Sequence, residues 1–388
     1  MYIRLLVVLT LCMPIAQHAI TVHAASEQSS DKSKQEISAA KPTDKSRGRW
    51  LPIPIFITEP AFGYGLGAAV GYFHPEKKKS ETEAMPSVQT LDSLASGRSG
   101  QKPPPTITGV AGGYTNNDTW AAGVAHSASW RNDTIRYVGG VAYTNLNSEF
   151  YVLDNPFDFN LKGAALYQDL KYRLGNSRFF LGGKLLILTT ESVFDKIIPN
   201  SEIDLNESSS SNSGLAAALT FDGRDNSFTP NRGQLMQLDV WRFDEDFGGD
   251  YNYWKGRIKL LSFHQLHPKF VLGLRLDTYA VDGRAPFYAY PWVTIRGIPA
   301  LRYQGKNTGV IEAEARWNFL PRWAVVGFGG AGKVGGDAPS FATEDNIVAG
   351  GAGIRYFMMQ DLGLWLGVDV AQGPEEVYGY ITVGQAWK

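Results

Sequence analysis

Arg296 and Gly297 lie in a turn-rich stretch, residues 293–303, that residue types alone mark as an exposed loop. Two acids follow it. Glu312 and Glu314 alternate with apolar residues, so Glu312, Glu314, Arg316 and Asn318 share one face of an extended segment. The chemistry open to such a set is guanidinium–carboxylate pairing, strongest when bidentate and away from water. A second set, Asp222, Arg224, Asp225, Asn226, Pro230 and Gly233, reads locally as a tight turn. Groups for catalysis are sparse. Beyond the first 24 residues only His74, His126, His264 and His267 remain, and no two are spaced as metal ligands. Ser262 and His264 share a strand face, a pair that a membrane-embedded serine hydrolase could use, but such neighbours are common by chance. No Gly-x-Ser-x-Gly elbow, phosphate loop or His-Glu-x-x-His is present. The expectation is a protein that is not an enzyme, with no catalytic, cofactor-binding or metal-binding residues.

Segments of period two must position these groups. Asp169, Lys171 and Arg173 fall on one face, and Leu166, Leu170, Tyr172 and Leu174 on the other. In 178–190, Phe179, Leu181, Leu185 and Ile187 oppose Lys184. In 270–283, Phe270, Leu272, Leu274 and Leu276 oppose Arg275 and Asp277. Near the end, Leu362, Leu364, Leu366, Val368 and Val370 oppose Gly363, Gly367 and Asp369. A soluble barrel or sandwich would show the same alternation with its faces exchanged. Repetition and length favour a membrane barrel, since strands of about ten residues or more cross ~25 Å when tilted.

Composition narrows the choice further. The 37 basic and 38 acidic residues leave a net charge of −1, which implies no polyanion-binding surface and no nucleic-acid partner. The 42 glycines, 18 tyrosines, 20 phenylalanines and 10 tryptophans suit a barrel with curved strands and aromatic rings at both membrane interfaces. Residues 1–24 read as a cleavable export signal, with Arg4, a mostly apolar run and small residues at Val22-His23-Ala24. Cys12 lies inside that signal, so the exported chain would hold no disulfide. Residues 25–49 are polar, rich in serine and lysine, and read as a disordered periplasmic lead-in; residues 50–388 are the barrel.

Sixteen antiparallel strands are expected, at 50–58, 64–74, 106–115, 119–130, 134–145, 158–174, 178–190 and 214–222, then 234–243, 251–266, 270–283, 308–320, 323–334, 346–358, 361–372 and 377–387. An even number puts both ends on the periplasmic side. The 223–233 turn then faces the periplasm, and the Arg296 loop is external. A long polar loop fills 75–105, and Pro52 and Pro54 make the first strand a poor ladder member, as at an edge or seam.

In order along the chain, the Asp222-x-Arg224-Asp225-Asn226 and Pro230-x-x-Gly233 turn, Ile295-Arg296-Gly297, Glu312-Ala313-Glu314 and Gly327-Phe328-Gly329-Gly330-Ala331-Gly332 resemble the signature of one family. It is the BamA/TamA-type outer-membrane barrels, the bacterial surface-antigen superfamily, and the likeness covers nearly all of residues 50–388. The resemblance implies an all-β, sixteen-stranded transmembrane barrel whose long external loop folds back into the lumen. There Arg296 would pair with acids on the inner wall. Glu314 matches the acid of strand twelve, with Glu312 beside it. The second acid, on strand thirteen, falls at Gly330, which implies a weaker latch, or one using Glu312 or another lumen acid.

The 25–49 segment is too short for the periplasmic POTRA modules of most relatives, so a short, barrel-only member is expected. By resemblance, the protein sits in the outer membrane of a Gram-negative bacterium and assists insertion or translocation of other proteins, by parting its first and last strands and thinning the nearby membrane. Its partners would be outer-membrane lipids, client outer-membrane or secreted proteins, and the barrel-assembly machinery for its own insertion. Trp387 is penultimate where such barrels end on an aromatic residue, which implies a weakened assembly signal. The alternatives are a porin-like passive diffusion channel and a structural surface antigen.

Overall fold

The structure, a computed structural model, describes residues 48–75, 104–152, 155–194, 209–336, 347–359 and 363–387. The expected signal, nearly all of the lead-in and most of the 75–105 loop lie outside the described residues. The first strands are β1 (Arg49–Glu59), β2 (Gly63–Phe73), β3 (Ile107–Thr115) and β4 (Trp120–Trp130). Next come β5 (Ile135–Val152), β6 (Asn155–Arg173), β7 (Phe179–Phe194) and β8 (Ser209–Asp222), the first three of which are the longest of the sheet. The third group is β9 (Gly233–Phe243), β10 (Tyr253–His267), β11 (Phe270–Gly283) and β12 (Asn307–Leu320). The last is β13 (Trp323–Gly335), β14 (Ile347–Met359), β15 (Leu364–Gln372) and β16 (Val377–Val383).

Each strand pairs antiparallel with the next in one sixteen-stranded sheet, and the sheet curls until β1 and β16 lie side by side. The rim carrying Arg49 and Val383 is the lower rim; the opposite one, with the Arg296 loop, is the upper.

Alternation decides which way each strand faces. On β6, Leu170 and Tyr172 are exposed on the outer wall while Asp169 and Arg173 are buried inside. On β12, Ile311 and Trp317 point outward, at 59% and 53% exposure, whereas Glu312, Glu314 and Arg316 are buried. Large apolar side chains outside and charged ones inside invert the order of a soluble protein, so the outer wall is built for lipid. Aromatic residues gather toward the rims of that wall, with Trp50, Trp130, Tyr172 and Trp323 low, and Tyr64, Tyr114, Trp120 and Trp254 high.

The structure extends four strands, β5 to β8, by three residues or more relative to the sequence pattern and cuts β16 short. β5 continues to Val152 and β6 starts at Asn155, and Asn160 Nδ2 bonds Asn145 Oδ1 and Asn147 Oδ1 at 2.8 and 2.7 Å. β7 runs on to Phe194, and β8 starts at Ser209. These added stretches stand above the apolar band, so no alternation of lipid-facing residues marks them. At the other end β16 stops at Val383 and does not reach residue 387. Gly384 adopts φ +74° there and turns the chain inward.

The lumen has two unlike walls. Leu51, Ile53 and Ile55 of β1, Ala69, Ala111 and Ala125 make an apolar wall. From β6 to β12 the wall carries ion pairs: Lys171–Asp169 at 2.9 Å, Lys184–Asp239 at 2.7 Å and Arg257–Asp277 at 2.9 Å. Charges so far from bulk water are tolerable because each faces an opposite one.

Candidate functional site

The segment between β11 and β12 folds down into the lumen and closes on itself. Val293 N–H donates to the Tyr303 carbonyl at 3.0 Å and Gly305 N–H to the Pro291 carbonyl at 3.1 Å. Gln304 Nε2 reaches the Phe287 and Tyr290 carbonyls, both at 3.3 Å. Two apolar faces then anchor it. Phe287, Tyr288, Trp292 and Leu301 join an apolar core that runs from β1 round to β11, with Phe287 packed on Phe159 of β6 and Phe194 of β7. Val293, Ile295 and Ile298 pack with Val310, Ile347 and Ala349 on β12 and β14. Between the two faces lies the polar tip.

At that tip Arg296 spans two acids. Its Nη2 meets Glu314 Oε2 at 2.7 Å and its Nη1 meets Asp369 Oδ2 at 2.7 Å. The guanidinium lies over the Phe328 ring, 3.5 Å from its centroid. A second arginine, Arg355, pairs with Asp369 through Nη2 at 2.9 Å and stands 3.9 Å from Glu314. Two cations and two acids thus neutralise one another in a buried square. Gly297 takes φ +98° and brings its carbonyl so close to Gly373 that a Cβ there would collide with it.

Of the acids left open by Gly330, the geometry corrects one and selects another. Glu312 makes its ion pair with Arg275 and not with Arg296, and Arg275 Nη2 in turn donates to Thr294 Oγ1 of the loop at 2.7 Å. The second acid comes from β15 as Asp369, while β13 contributes the Phe328 ring. Gly330 stands opposite Glu312, and a Cβ there would press on the Glu312 side chain and the Ile311 carbonyl. Glycine at that point makes room for Glu312 and leaves none for an acid. Asp369 had a signal, as the single acid on the inner face of an apolar and glycine strand.

The tip also touches both ends of the sheet, for which sequence gave no sign. Gly297 N–H donates to the Tyr380 hydroxyl on β16 at 2.9 Å. Ala300 N–H donates to Glu59 Oε1 at the top of β1, also at 2.9 Å. Arg302 Nε reaches Glu375 Oε1, in the turn between β15 and β16, at 2.6 Å.

Between β1 and β16 there is no ladder. A hydrogen bond that ties them runs from Ile381 N–H to Thr58 Oγ1 at 3.4 Å. That contact puts the top of β1 beside the lower part of β16, which ends two residues later. Below Phe56, no strand of the described residues runs along the free edge of β1. The register explains what that edge carries. The Tyr64 carbonyl accepts from Asn116 across the β3 side, so even-numbered residues of β2 face β3 and odd-numbered ones face β1. Pro52 and Pro54 lie opposite Val70 and Ala68, so their missing N–H groups fall on the free edge.

The inward-turned end of the chain closes the lower mouth. Trp387 is buried against Leu235, Leu261 and Phe263 on the far wall. Gln385 N–H donates to the Phe228 carbonyl at 2.8 Å, and Gln385 Nε2 approaches Glu314 Oε1 at 3.4 Å.

Phe228 belongs to the turn between β8 and β9. Asp222 there accepts from Arg224 Nε at 2.9 Å and Arg136 Nη1 at 2.8 Å. Asp225 Oδ1 takes the Asn231 N–H, and Asn226 Oδ1 takes the Phe228 and Thr229 N–H groups, at 2.9, 2.7 and 2.9 Å. Pro230 is buried, and Gly233 has φ +98° with the Gly223 carbonyl pressed where a Cβ would be. The turn therefore folds across the lower mouth and supports the tail.

Ser262 Oγ and His264 Nε2 are 2.8 Å apart on the outer wall near the lower rim. That contact engages one ring nitrogen, and among the described residues no hydrogen bond to His264 Nδ1 is formed. Nor do three His, Cys, Asp or Glu side chains gather anywhere among the described residues as metal ligands would.

No family model matches this chain, and no curated protein sequence does. Solved structures do. BamA from Haemophilus ducreyi lacking POTRA domains 1-3 superposes with a TM-score of 0.56 at 10% identity, covering 87% of this chain and 70% of that one. CdiB from Escherichia coli gives 0.59 at 12% identity, over 89% of this chain and 63% of that one. CdiB from Acinetobacter baumannii gives 0.53 at 12% identity, over 87% and 59%. At such identities the shared property is the fold, and the chain spans under two thirds of either CdiB.

Proposed function

We infer that this chain, which has the fold of the BamA/TamA-type transmembrane barrels, is an outer-membrane protein that helps other proteins insert into or cross that membrane. The lower rim would then face the periplasm and the Arg296 loop the outside. The observation that carries the reading is the seam. Fifteen neighbouring strand pairs form ladders, and the one junction that closes the cylinder does not. A ladder of ten residues would hold through many cooperating bonds, whereas here single hydrogen bonds, each of about 1 kcal/mol net, must be released. The loop tip holds β1 through Glu59 and β16 through Tyr380, while Arg296 stays fastened to β12 and β15. Parting the seam thus leaves the latch in place, and the lumen opens sideways into the bilayer from below.

A passive channel is the second reading, and the filled lumen weighs against it. Loop, ion pairs and inward-turned tail occupy the path that a solute would need.

The experiment is a reversible lock. Thr58→Cys with Ile381→Cys joins the strands where their backbones already meet, and the expected export signal holds the chain's single native cysteine. Oxidation should deplete particular proteins from the outer-membrane proteome, and reductant should restore them. An outer-membrane proteome identical in the locked and reduced states would refute the reading. Planar-bilayer conductance that rises on deleting residues 285–305 would favour the channel.

A further inference from the structure

On the lipid-facing wall high on β10–β13 the surface sinks into a depression of about 550 Å³. Two adjacent rows of outward residues form its floor. One row is Ile258, Thr278, Gly309 and Lys333, and the next is Gly256, Ala280, Asn307 and Gly335. Four of these eight are glycine or alanine, and Gly256 and Gly335 have nothing within 4 Å of where a Cβ would sit. The next row down is bulky on β10–β12, with Leu260, Leu276 and Ile311, and small on β13, with Ala331. The depression is therefore a pit closed from below on its β10–β12 side.

Its depth in the membrane follows from the row above. Trp254 stands there, opposite Asp282, and is half exposed, a residue suited to the interface between headgroups and acyl chains. The pit lies just inside that interface. Lys333 is exposed on this same face, and among the described residues no ion pair engages it. An ammonium on a lipid-facing wall must stretch its apolar stem along the surface and carry its charge up to the headgroups. There it meets anions. Asp282 is on β11, two strands away, which assigns the anion to the β12–β13 side.

We propose that this pit is a binding site for one phosphorylated lipid of the outer leaflet, an acyl chain filling the space over Gly256 and Gly309 and a headgroup phosphate paired with Lys333. The occupant must be anionic to satisfy the lysine and must offer a chain at its own headgroup level, both of which a phosphorylated acyl lipid does. This inference rests on the membrane orientation assigned above and is independent of whether the seam opens.

The test is lipid retention by the purified full chain in nanodiscs, read by native mass spectrometry with bis-phosphorylated lipid A and its dephosphorylated counterpart as probes. The phosphorylated probe should be retained at least tenfold better. Lys333→Gln should bring it down to the level of the dephosphorylated one. Gly309→Leu, which fills the pit, should remove both. A Cβ at Gly309 meets only Thr278 Cγ2, at 3.9 Å, so the barrel should fold; Gly256→Leu fills the same pit should it not. Heat-modifiable gel mobility checks folding in each case. Equal retention of the two probes overturns the proposal, as does retention unchanged in folded Lys333→Gln and in a folded pit-filling variant.

Discussion

The β5–β6 hairpin and the β1–β16 junction are the two extremes of this barrel. The hairpin pairs without a break from Ile135↔Tyr172 to Val152↔Asn155. The junction has no ladder, two prolines on its free edge, and a last strand that ends at Val383. Sequence distance is one cause. Hairpin strands meet by closing a short turn, whereas β1 and β16 must meet across nearly the whole chain, and loop-closure entropy grows with that separation. Distance alone does not put prolines on an edge or turn a tail inward. What the contrast teaches is that this wall is held closed at its weakest junction by side chains from within. The loop tip does there what backbone pairing does elsewhere.

Removing the tip's anchor should therefore have the largest effect. Arg296→Ala leaves Glu314 and Asp369 to share Arg355 alone, and uncompensated buried charge costs about 3–5 kcal/mol. The expected outcome is a lower yield of folded barrel and loss of the compact gel band at a lower temperature. Arg296→Lys should fall between, because an ammonium cannot bridge two acids in the guanidinium's fixed plane. Normal folded yield and unchanged heat-modifiable mobility for Arg296→Ala would mean that the loop is held by its apolar faces, and the seam by something else.

The hairpin should fail in another way. Val141 sits in the middle of both its ladders, opposite Val124 and Leu166. Val141→Pro removes a backbone donor that a neighbouring strand uses and should cost about 1–3 kcal/mol, the loss of one ladder bond with its acceptor left unpaired. The measurement is the urea midpoint of the barrel in detergent micelles. A shift no larger than that of Val141→Ala would show that the hairpin's ladder is not what makes it rigid.

Most of the barrel was legible in the sequence, since alternation in a membrane wall marks both where a strand lies and which way it faces. The strands inside the apolar band, from β9 to β14 above all, begin and end within two residues of the pattern. Legibility ended where the apolar band ended. Asn147, Asn160 and the serines that open β8 lie above it, and polar residues on both faces of a strand give no period. The latch was half legible. Arg296 and Glu314 were found by resemblance, but with Gly330 in the expected place the second acid was left as Glu312 or another lumen acid, and it is Asp369 of β15. Curvature brings β15 round to the loop tip, and no local spacing encodes that. The tail was missed for a similar reason: Tyr378 to Trp387 alternates well enough to continue as a strand, and only Gly384 hints at the turn.

The smallest expected effect is the most informative about the junction. Replacing both prolines, Pro52→Val with Pro54→Val, should change stability by less than about 1 kcal/mol, because neither nitrogen faces a strand that could accept from it. The same pair of substitutions creates two free donors on an edge that now offers few, and free donors on a long edge invite another strand. Edge-to-edge dimers should then appear, trapped by oxidation of a single cysteine placed by Phe56→Cys, and be absent when the prolines are kept. If instead the double variant becomes markedly more stable with no added association, the new donors have found β16. That result would show that the last strand can slide down along β1, and that the prolines, more than the inward-turned tail, keep the wall from zipping shut.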